Sequence, residues 1–297
     1  MKAGIMVRME SIPEWPVVTE VKLGHRDELH SMFKALEEGI SEFSFANIYL
    51  FRESHRYGLS MLADGLLLIT GSDAGEAFFM LPSGLPARDV LDGLLERFSF
   101  MKNASEAQAR LLGSMGYGVA GDRDNFDYLY STEELASLSG RKYHKKKNLV
   151  NAFIGSYNYQ ARPLLEEYAG DALQVIEEWR KEVETAGDYA SAVEAVERME
   201  ELELCGGIYY VDGRPAAYTL GEEIGRDQFV IHFEKGLREF KGLMQFVVQS
   251  FAQILPEKYR FINREQDLGI EGIRKAKMGY RPVGFVKKFR VGARQTL

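Results

Sequence analysis

Cysteine is nearly absent from this chain. The 297 residues include one, Cys205, so no internal disulfide can form and no metal site built on several thiolates is available. A reducing compartment, the cytoplasm, is the expected location. Long apolar runs are missing as well. Clusters such as Gly65 to Thr70 are far too short to cross a bilayer, and no transmembrane segment is expected. Nor is there an excess of positive charge: the formal net charge of −7 argues against a general nucleic-acid coat. No zinc-ligand spacing, Walker loop or nucleophile elbow occurs, which sets metalloenzyme, NTPase and α/β-hydrolase readings aside. No metal is expected.

What is present is an ordinary globular composition, 45% apolar and 27% charged, at a length that favours about two domains. The charge is unevenly placed. Between Leu165 and Leu204 there are 13 acidic and 3 basic residues, whereas Lys258 to Leu297 holds 11 basic and 3 acidic. A separate run, Arg141-Lys142-Tyr143-His144-Lys145-Lys146-Lys147, packs five cations into seven residues. Such a run is either a solvated bridge helix or a contact for the phosphates of tRNA or of anionic lipid headgroups.

A fragment recurs. Arg110 to Tyr117 and Arg274 to Tyr280 each close a helical segment with Met-Gly-Tyr. Each is preceded by a hairpin signal, Asp64-Gly65 or Asp212-Gly213, and followed by a segment that reads as strand. One fold used twice is the implied organisation, because each half is large enough to bury its own core.

The pattern predicts a helix over 26–39, strands over 47–52, 57–63 and 66–70 with a type I′ turn at Asp64-Gly65, and a further strand over 76–81. A helix over 87–98 places Val90, Leu91, Leu94, Leu95 and Phe98 on one face. Ser105 caps the next helix, and 125–130 reads as strand. In the second half a strand near Tyr159 and helices over 172–183 and 191–202 precede a hairpin, 207–210 and 215–220, with 228–234 as its third strand. An amphipathic helix follows from Leu243 to Leu255 and is stopped by Pro256. Strand 259–263, helix 269–277 and one final strand over 282–291 complete the chain.

This order resembles the GNAT acyltransferase fold, a mixed sheet splayed between two central strands. The blocks Phe126-Asp-Tyr-Leu-Tyr130, Lys142-Tyr-His-Lys-Lys-Lys-Asn148 and Asn263-Arg-Glu-Gln-Asp-Leu-Gly-Ile-Glu-Gly-Ile-Arg-Lys-Ala-Lys277 together resemble the DUF2156 family. That family is similar to the C-terminal cytosolic domain of phosphatidylglycerol lysyltransferases, a tandem GNAT arrangement that moves an aminoacyl group from tRNA to a lipid. The membrane helices of the full lipid-modifying enzymes have no counterpart here, so flippase action is not expected. The GNAT pyrophosphate loop is also altered: Glu239 stands three residues before Gly242 and Met244 two after it. A nest at the start of the Gly242 helix remains a candidate phosphate site.

Transfer of an acyl group to an amine needs a base for the amine proton and donors for the tetrahedral oxyanion. Alternation on the strand 229–234 puts His232 and Glu234 on one face, and His232 titrates in a useful range. The alternative is an ordinary hydrogen-bonded sheet position. Asn263, Arg264, Glu265, Gln266 and Asp267 follow the proposed splayed strand. The resemblance implies that this stretch faces the aminoacyl site, with Glu265 and Asp267 holding an amine and Arg264 a carboxylate or phosphate. A network from Arg264 to Asp267, with Asp267 as helix cap, competes with that reading. Tyr280 is either a proton donor to the leaving group or, like Tyr117, a packing residue.

The expectation is an α/β (α+β) chain of tandem GNAT-like domains: 1–131 degenerate, a basic bridge 132–158, and a working domain 159–297. It would transfer an aminoacyl or acyl group to an amine or hydroxyl of a small-molecule acceptor, with catalytic residues His232, Glu234, Glu265, Asp267 and Tyr280. Asn263, Arg264 and Gln266 would bind substrate; Arg141, Lys142, Lys145, Lys146, Lys147 and Gly242 would meet phosphate or tRNA. No tightly bound cofactor is expected, aminoacyl-tRNA or acetyl-CoA serving as co-substrate. The alternatives are an acetyl-CoA-dependent N-acetyltransferase and a non-catalytic binding protein. Oligomeric state is open.

Overall fold

The computed structural model describes residues 11–184 and 187–294. Two compact units divide the chain, one formed by 1–126 with 286–297 and the other by 127–285.

The first unit holds strands β1 (Thr19–Glu20), β2 (Gly58–Met61), β3 (Leu67–Asp73), β4 (Glu76–Met80), β5 (Phe100–Ala104) and β6 (Tyr117–Gly121). Its helices are α1 (Arg26–Lys34), α2 (Phe45–Leu50), α3 (Arg52–His55), α4 (Arg88–Arg97) and α5 (Glu106–Ser114). Neighbours are antiparallel from β1 to β4, and β4 runs parallel to β5. The far strand, Phe289–Arg294, enters between β5 and β6, antiparallel to both. Leu68, Phe79, Leu91, Leu94, Met101, Leu112 and Val291 form one core. Val90, placed on that helical face from the sequence, is instead 37% exposed.

Two local predictions fail here. The segment 47–52 is helix rather than strand, its first four residues lying in α2 and Arg52 opening α3; the Ser44 hydroxyl caps α2 by accepting from the Asn47 N–H at 3.1 Å. All six of its residues are buried, so apolar side chains all round, and not alternation, mark it. The turn at Asp64-Gly65 is not type I′, because only Gly65 has positive φ (81°). The Gly65 N–H donates to Leu62 O at 2.8 Å and the Leu62 N–H to Leu66 O at 2.9 Å, a type I turn with a glycine bulge.

The second unit holds β7 (Asp127–Ser131), β8 (Tyr159–Pro163), β9 (Cys205–Val211), β10 (Arg214–Ile224), β11 (Gln228–Gly236), β12 (Phe261–Asn263) and β13 (Gly284–Val286). Its helices are α6 (Thr132–Ser137), α7 (His144–Ser156), α8 (Ala169–Lys181), α9 (Tyr189–Glu197), α10 (Leu243–Ile254) and α11 (Glu271–Met278). Here too the strands are antiparallel from β8 to β11, β11 runs parallel to β12, and β7 lies between β12 and β13. The Phe289–Arg294 strand is β14. Each sheet therefore repeats the same series of pairings with one strand drawn from across the middle of the chain: β14 in the first, β7 in the second.

The expected final strand over 282–291 is thus two strands, β13 and β14, in different sheets. Lys288, which lies between β13 and β14 in the chain and is fully buried in the first unit, makes an ion pair with Glu42 and donates to Ser41 Oγ at 3.2 Å. Strand pairing likewise sets the unit boundaries, which differ from those drawn along the sequence at 131 and 159.

Candidate functional site

In the second unit β11 and β12 pair through only three positions, Gln228 with Phe261, Phe229 with Ile262 and Val230 with Asn263. Beyond Asn263 the chain parts from β11, which continues to Gly236, but stays bonded to β7: the Arg264 N–H donates to Tyr128 O at 3.0 Å and the Tyr128 N–H to Glu265 O at 3.2 Å. His232 and Glu234, on the part of β11 that β12 does not reach although β10 still pairs with it, meet Glu265 and Arg264 of the departing loop across this gap.

The His232 side chain is fully buried between two carboxylates: Nδ1 lies 2.8 Å from Glu265 Oε1 and Nε2 lies 3.0 Å from Glu222 Oε1. A neutral imidazole has one N–H and cannot donate to both. Burial lowers its pKa, but the two charged hydrogen bonds outweigh burial and raise it to about 10. His232 is a buried imidazolium at neutral pH. This corrects its expected titration in the useful range; the cause, Glu222 on β10, was not singled out in the sequence. Alternation on β10 and β11 was the available signal.

Glu234 is the other charged group of the gap. Its Oε1 accepts from Arg264 Nη2 at 2.6 Å, whereas Oε2 is buried with no hydrogen-bond partner among the described residues. Aromatic rings surround the pair. The Arg264 guanidinium carbon is 5.1 Å from the Tyr280 ring centre and 5.9 Å from that of Tyr130. Burial pushes the Tyr280 hydroxyl up to about 12, against the opposing charge of Arg264, so it stays a proton donor throughout the neutral range. Tyr280 and Tyr117 are both 5% exposed.

The loop that carries Arg264 and Glu265 is braced from inside. Asn263, fully buried, accepts from the Glu265 N–H at 2.9 Å. Lys277 Nζ donates to the carbonyls of Arg264, Glu265 and Gln266 at 2.6, 3.1 and 2.5 Å. Burial, with Arg264 nearby, lowers the Lys277 pKa to about 8. Glu265 (φ 52°) and Leu268 (φ 54°) sit in the left-handed region, a conformation that surrounding contacts must hold. Asp267 is fully buried. Arg274 donates to its two oxygens at 2.9 and 2.7 Å, the Gly269 N–H donates at 2.9 Å, and Tyr128 OH adds a fourth contact. Arg274, rather than the expected Arg264, is its ionic partner, and these bonds hold its carboxyl well below the usual range. Ile270, not Asp267, occupies the helix cap position.

Beside this gap lies the basic run, Arg141 and Lys142 in a 3-10 turn (Arg141–Tyr143) and Lys145, Lys146 and Lys147 in the first turns of α7. Arg141, Lys142, Lys145 and Lys146, with Leu149, Gly279 and Arg281, line a cleft of about 800 Å³. Lys147 is exposed and outside that lining. Lys146 connects cleft and gap: its Nζ stands 3.9 Å from the Tyr280 ring centre, and burial together with Arg264 lowers its pKa. Lys142 is offset by Glu134, 2.6 Å away. Gly242 (φ 89°) has a packing reason of its own: a Cβ there would meet Leu149 O at 2.3 Å. α7 thus lies against the start of α10, and Glu239 before it pairs with Arg214 at 2.9 Å.

The gap therefore joins His232, Glu234, Arg264 and Glu265, with Tyr280 beside them. Asn263, Asp267 and the Gln266 carbonyl shape the loop, and Gly242 packs against Leu149 of the cleft lining. Glu222, Tyr130, Lys277 and Arg281 belong to the arrangement and were not singled out as site residues from the sequence.

Among solved structures, a conserved protein of unknown function from Bacteroides thetaiotaomicron has 28% identity and a TM-score of 0.84, over 93% of this chain and 99% of that one. A C-terminal domain (DUF2156) named for lysylphosphatidylglycerol synthetase, from Agrobacterium fabrum, has 12% identity and a TM-score of 0.60, over 91% and 92%. This second likeness concerns the fold. An uncharacterised protein of Mycoplasmoides gallisepticum is 24% identical over 177 residues, 56% of this chain, which spans about half (55%) of that relative's length. The fold is the expected GNAT-like one, two mostly antiparallel sheets flanked by helices. The family model for the C-terminal region of phosphatidylglycerol lysyltransferase matches residues 33–292, and the chain belongs to that family.

Proposed function

We propose that this protein transfers an aminoacyl group, carried as the ester of a tRNA, to an amine or hydroxyl acceptor, with the second unit as its working centre. The observation that carries the reading is the Glu234 carboxylate. One oxygen is taken by Arg264, and the other is buried, without a partner, and ringed by tyrosines. A desolvated carboxylate oxygen of this kind is a receptor for an ammonium group, and aromatic faces strengthen its hold on a cation. The basic cleft beside it suits the phosphates of the donor.

In this reading Glu234 binds the α-ammonium of the aminoacyl donor. The acceptor nucleophile adds to the ester carbonyl, and the positive charges of Lys146 and Arg264 stabilise the oxyanion. The carbon–oxygen bond to the ribose then breaks; the acceptor nucleophile releases its N–H or O–H proton as the new amide or ester forms, and the ribose oxygen takes one up, so the proton count is unchanged. Tyr280, with its raised pKa, can supply that proton. Because the ester is already activated, orientation and charge stabilisation are the main requirements. The expected amine receptor thus moves from Glu265 and Asp267 to Glu234, since Asp267 is consumed by Arg274 and Glu265 by His232.

Calorimetry of the purified protein with non-hydrolysable aminoacyl-adenosine analogues, beside acetyl-CoA and coenzyme A, tests this. Binding of an aminoacyl analogue that needs its free amine supports the proposal. Selective binding of coenzyme A overturns it in favour of an acetyltransferase. Absence of binding across the panel overturns it in favour of a binding protein for another ligand.

A further inference from the structure

The open oxygen of Glu234 is buried, so a substrate ammonium reaches it only if a neighbouring group moves. Arg264, bonded to the other oxygen, lies 5.1 Å from the Tyr280 ring centre, and Lys146 lies 3.9 Å from the same centre. Tyr280 is itself buried. Its ring is thus shared between a cation of the gap and a cation of the cleft lining. Among the described residues Lys146 joins no ion pair, and the ring contact is its tie to the gap. Tyr280 stands just beyond the end of α11, after Gly279 and before Arg281, whose φ of 56° lies in the left-handed region. Positions at the end of an element, beside a residue without a side chain, are where a chain absorbs a change of backbone angle.

A free amino acid is the competitor that such a site must reject. It brings an ammonium for Glu234 and a carboxylate for Arg264, whereas an aminoacyl ester brings the ammonium alone. A permanently open gap would fill with the free amino acid. The ester of a tRNA differs in carrying phosphates, and one of the side chains that would meet them rests on Tyr280. An anionic oxygen holds an ammonium more strongly than a ring face does. A phosphate in the cleft therefore draws Lys146 off the ring and removes one of the two cations that hold it. The ammonium has three N–H groups, so a phosphate leaves others for the oxyanion.

We infer that Lys146 and Tyr280 form a phosphate-operated gate, which makes access to Glu234 conditional on an anion in the cleft. The gate rests on the proposed function, an amine receptor beside a phosphate cleft, and adds a coupling between the two. That coupling is reciprocal: phosphate raises the affinity for the amine ligand, and the amine ligand raises that for phosphate. Tyr280 becomes a specificity residue that turns away amino acids arriving without a phosphate-bearing carrier.

Two measurements test the gate. The first needs no amine ligand: the fluorine resonance of Tyr280 in protein labelled with fluorotyrosine, assigned by its loss in Tyr280→Phe, is followed as inorganic phosphate is added. A saturating shift in the native protein, absent from Lys146→Gln, is expected. A resonance that phosphate leaves unmoved overturns the gate, as does a shift that persists in Lys146→Gln. The second is calorimetry with alaninamide, with and without saturating phosphate. Binding should be about tenfold tighter with phosphate, and Tyr280→Ala should bind as tightly without it. Undiminished coupling in Tyr280→Ala overturns the gate, because phosphate then acts on the gap through charge alone. Should that variant melt far below the native protein, the fluorine titration decides.

Failure of the gate and failure of the proposed function are distinguishable. Aminoacyl-adenosine binding with an unmoved Tyr280 removes the gate and keeps the transferase. A saturating Tyr280 shift with no amine ligand bound keeps the gate and removes the aminoacyl donor.

Discussion

Arg264 donates to one carboxylate oxygen of Glu234 at 2.6 Å and leaves the other buried without a partner. A buried carboxylate is costly unless each oxygen is satisfied, so the open oxygen is the position where a substrate donor completes the site. Glu234→Gln keeps the shape and removes the charge. We expect affinity for an aminoacyl-adenosine analogue to fall about ten- to a hundredfold, the value of a hydrogen bond to a charged group. Calorimetry at neutral pH measures it, and an unchanged affinity would remove Glu234 from the site.

His232 supplies a pH prediction. Its folded pKa, about 10, lies above the ordinary value near 6.5. The stabilisation is therefore fully present below the unfolded value and is lost as pH rises through the folded one. Thermal unfolding of the native protein should weaken toward alkaline pH with a component missing from His232→Asn. Should that variant fail to fold, because two carboxylates are left buried beside each other, imidazole nitrogen shifts in the native protein decide. They should stay those of the imidazolium at pH of about 8.

Lys277 holds three backbone carbonyls at once. Lys277→Met removes this shared donor, although Glu265 O keeps the Tyr128 N–H at 3.2 Å, at a cost of about 1–3 kcal/mol for a buried polar group. Melting temperature should fall, and amide hydrogen exchange should rise selectively over residues 264–268. A uniform rise would mean that the lysine serves general stability and not the loop.

Two glycines of the second unit should respond in opposite directions. Gly242→Ala forces a Cβ to within 2.3 Å of Leu149 O at a φ of 89°, so α7 must shift. We expect destabilisation of about 1–3 kcal/mol or more. Gly155, in α7, has nothing within 4 Å of its ideal Cβ, and Gly155→Ala should stabilise by about 0.5–1 kcal/mol. Denaturant titration of both variants checks the pair.

Much of the second unit was legible along the chain because its signals are local. The Val211 to Arg214 hairpin, with Asp212 and Gly213 both at positive φ, and the apolar face of α10 are each set by residues within one element. Segment 47–52 was misread because fully buried apolar helices and strands share a composition. The break between β13 and β14 was invisible because nothing local tells a strand which sheet to join.

The sequence by itself determined the GNAT-like order of elements, the family, and the clustering of basic residues over 141–147, since periodicity, turns and motif blocks are carried by neighbours in the chain. Tertiary structure alone decided the electrostatics. His232 becomes a fixed cation because Glu222 and Glu265 close on it from two other segments. Asp267 is spent on Arg274, and Glu234 keeps an open oxygen because β11 and β12 part beyond Asn263. Charge states and unfilled hydrogen bonds depend on groups that folding brings together from distant positions, and no local pattern specifies them.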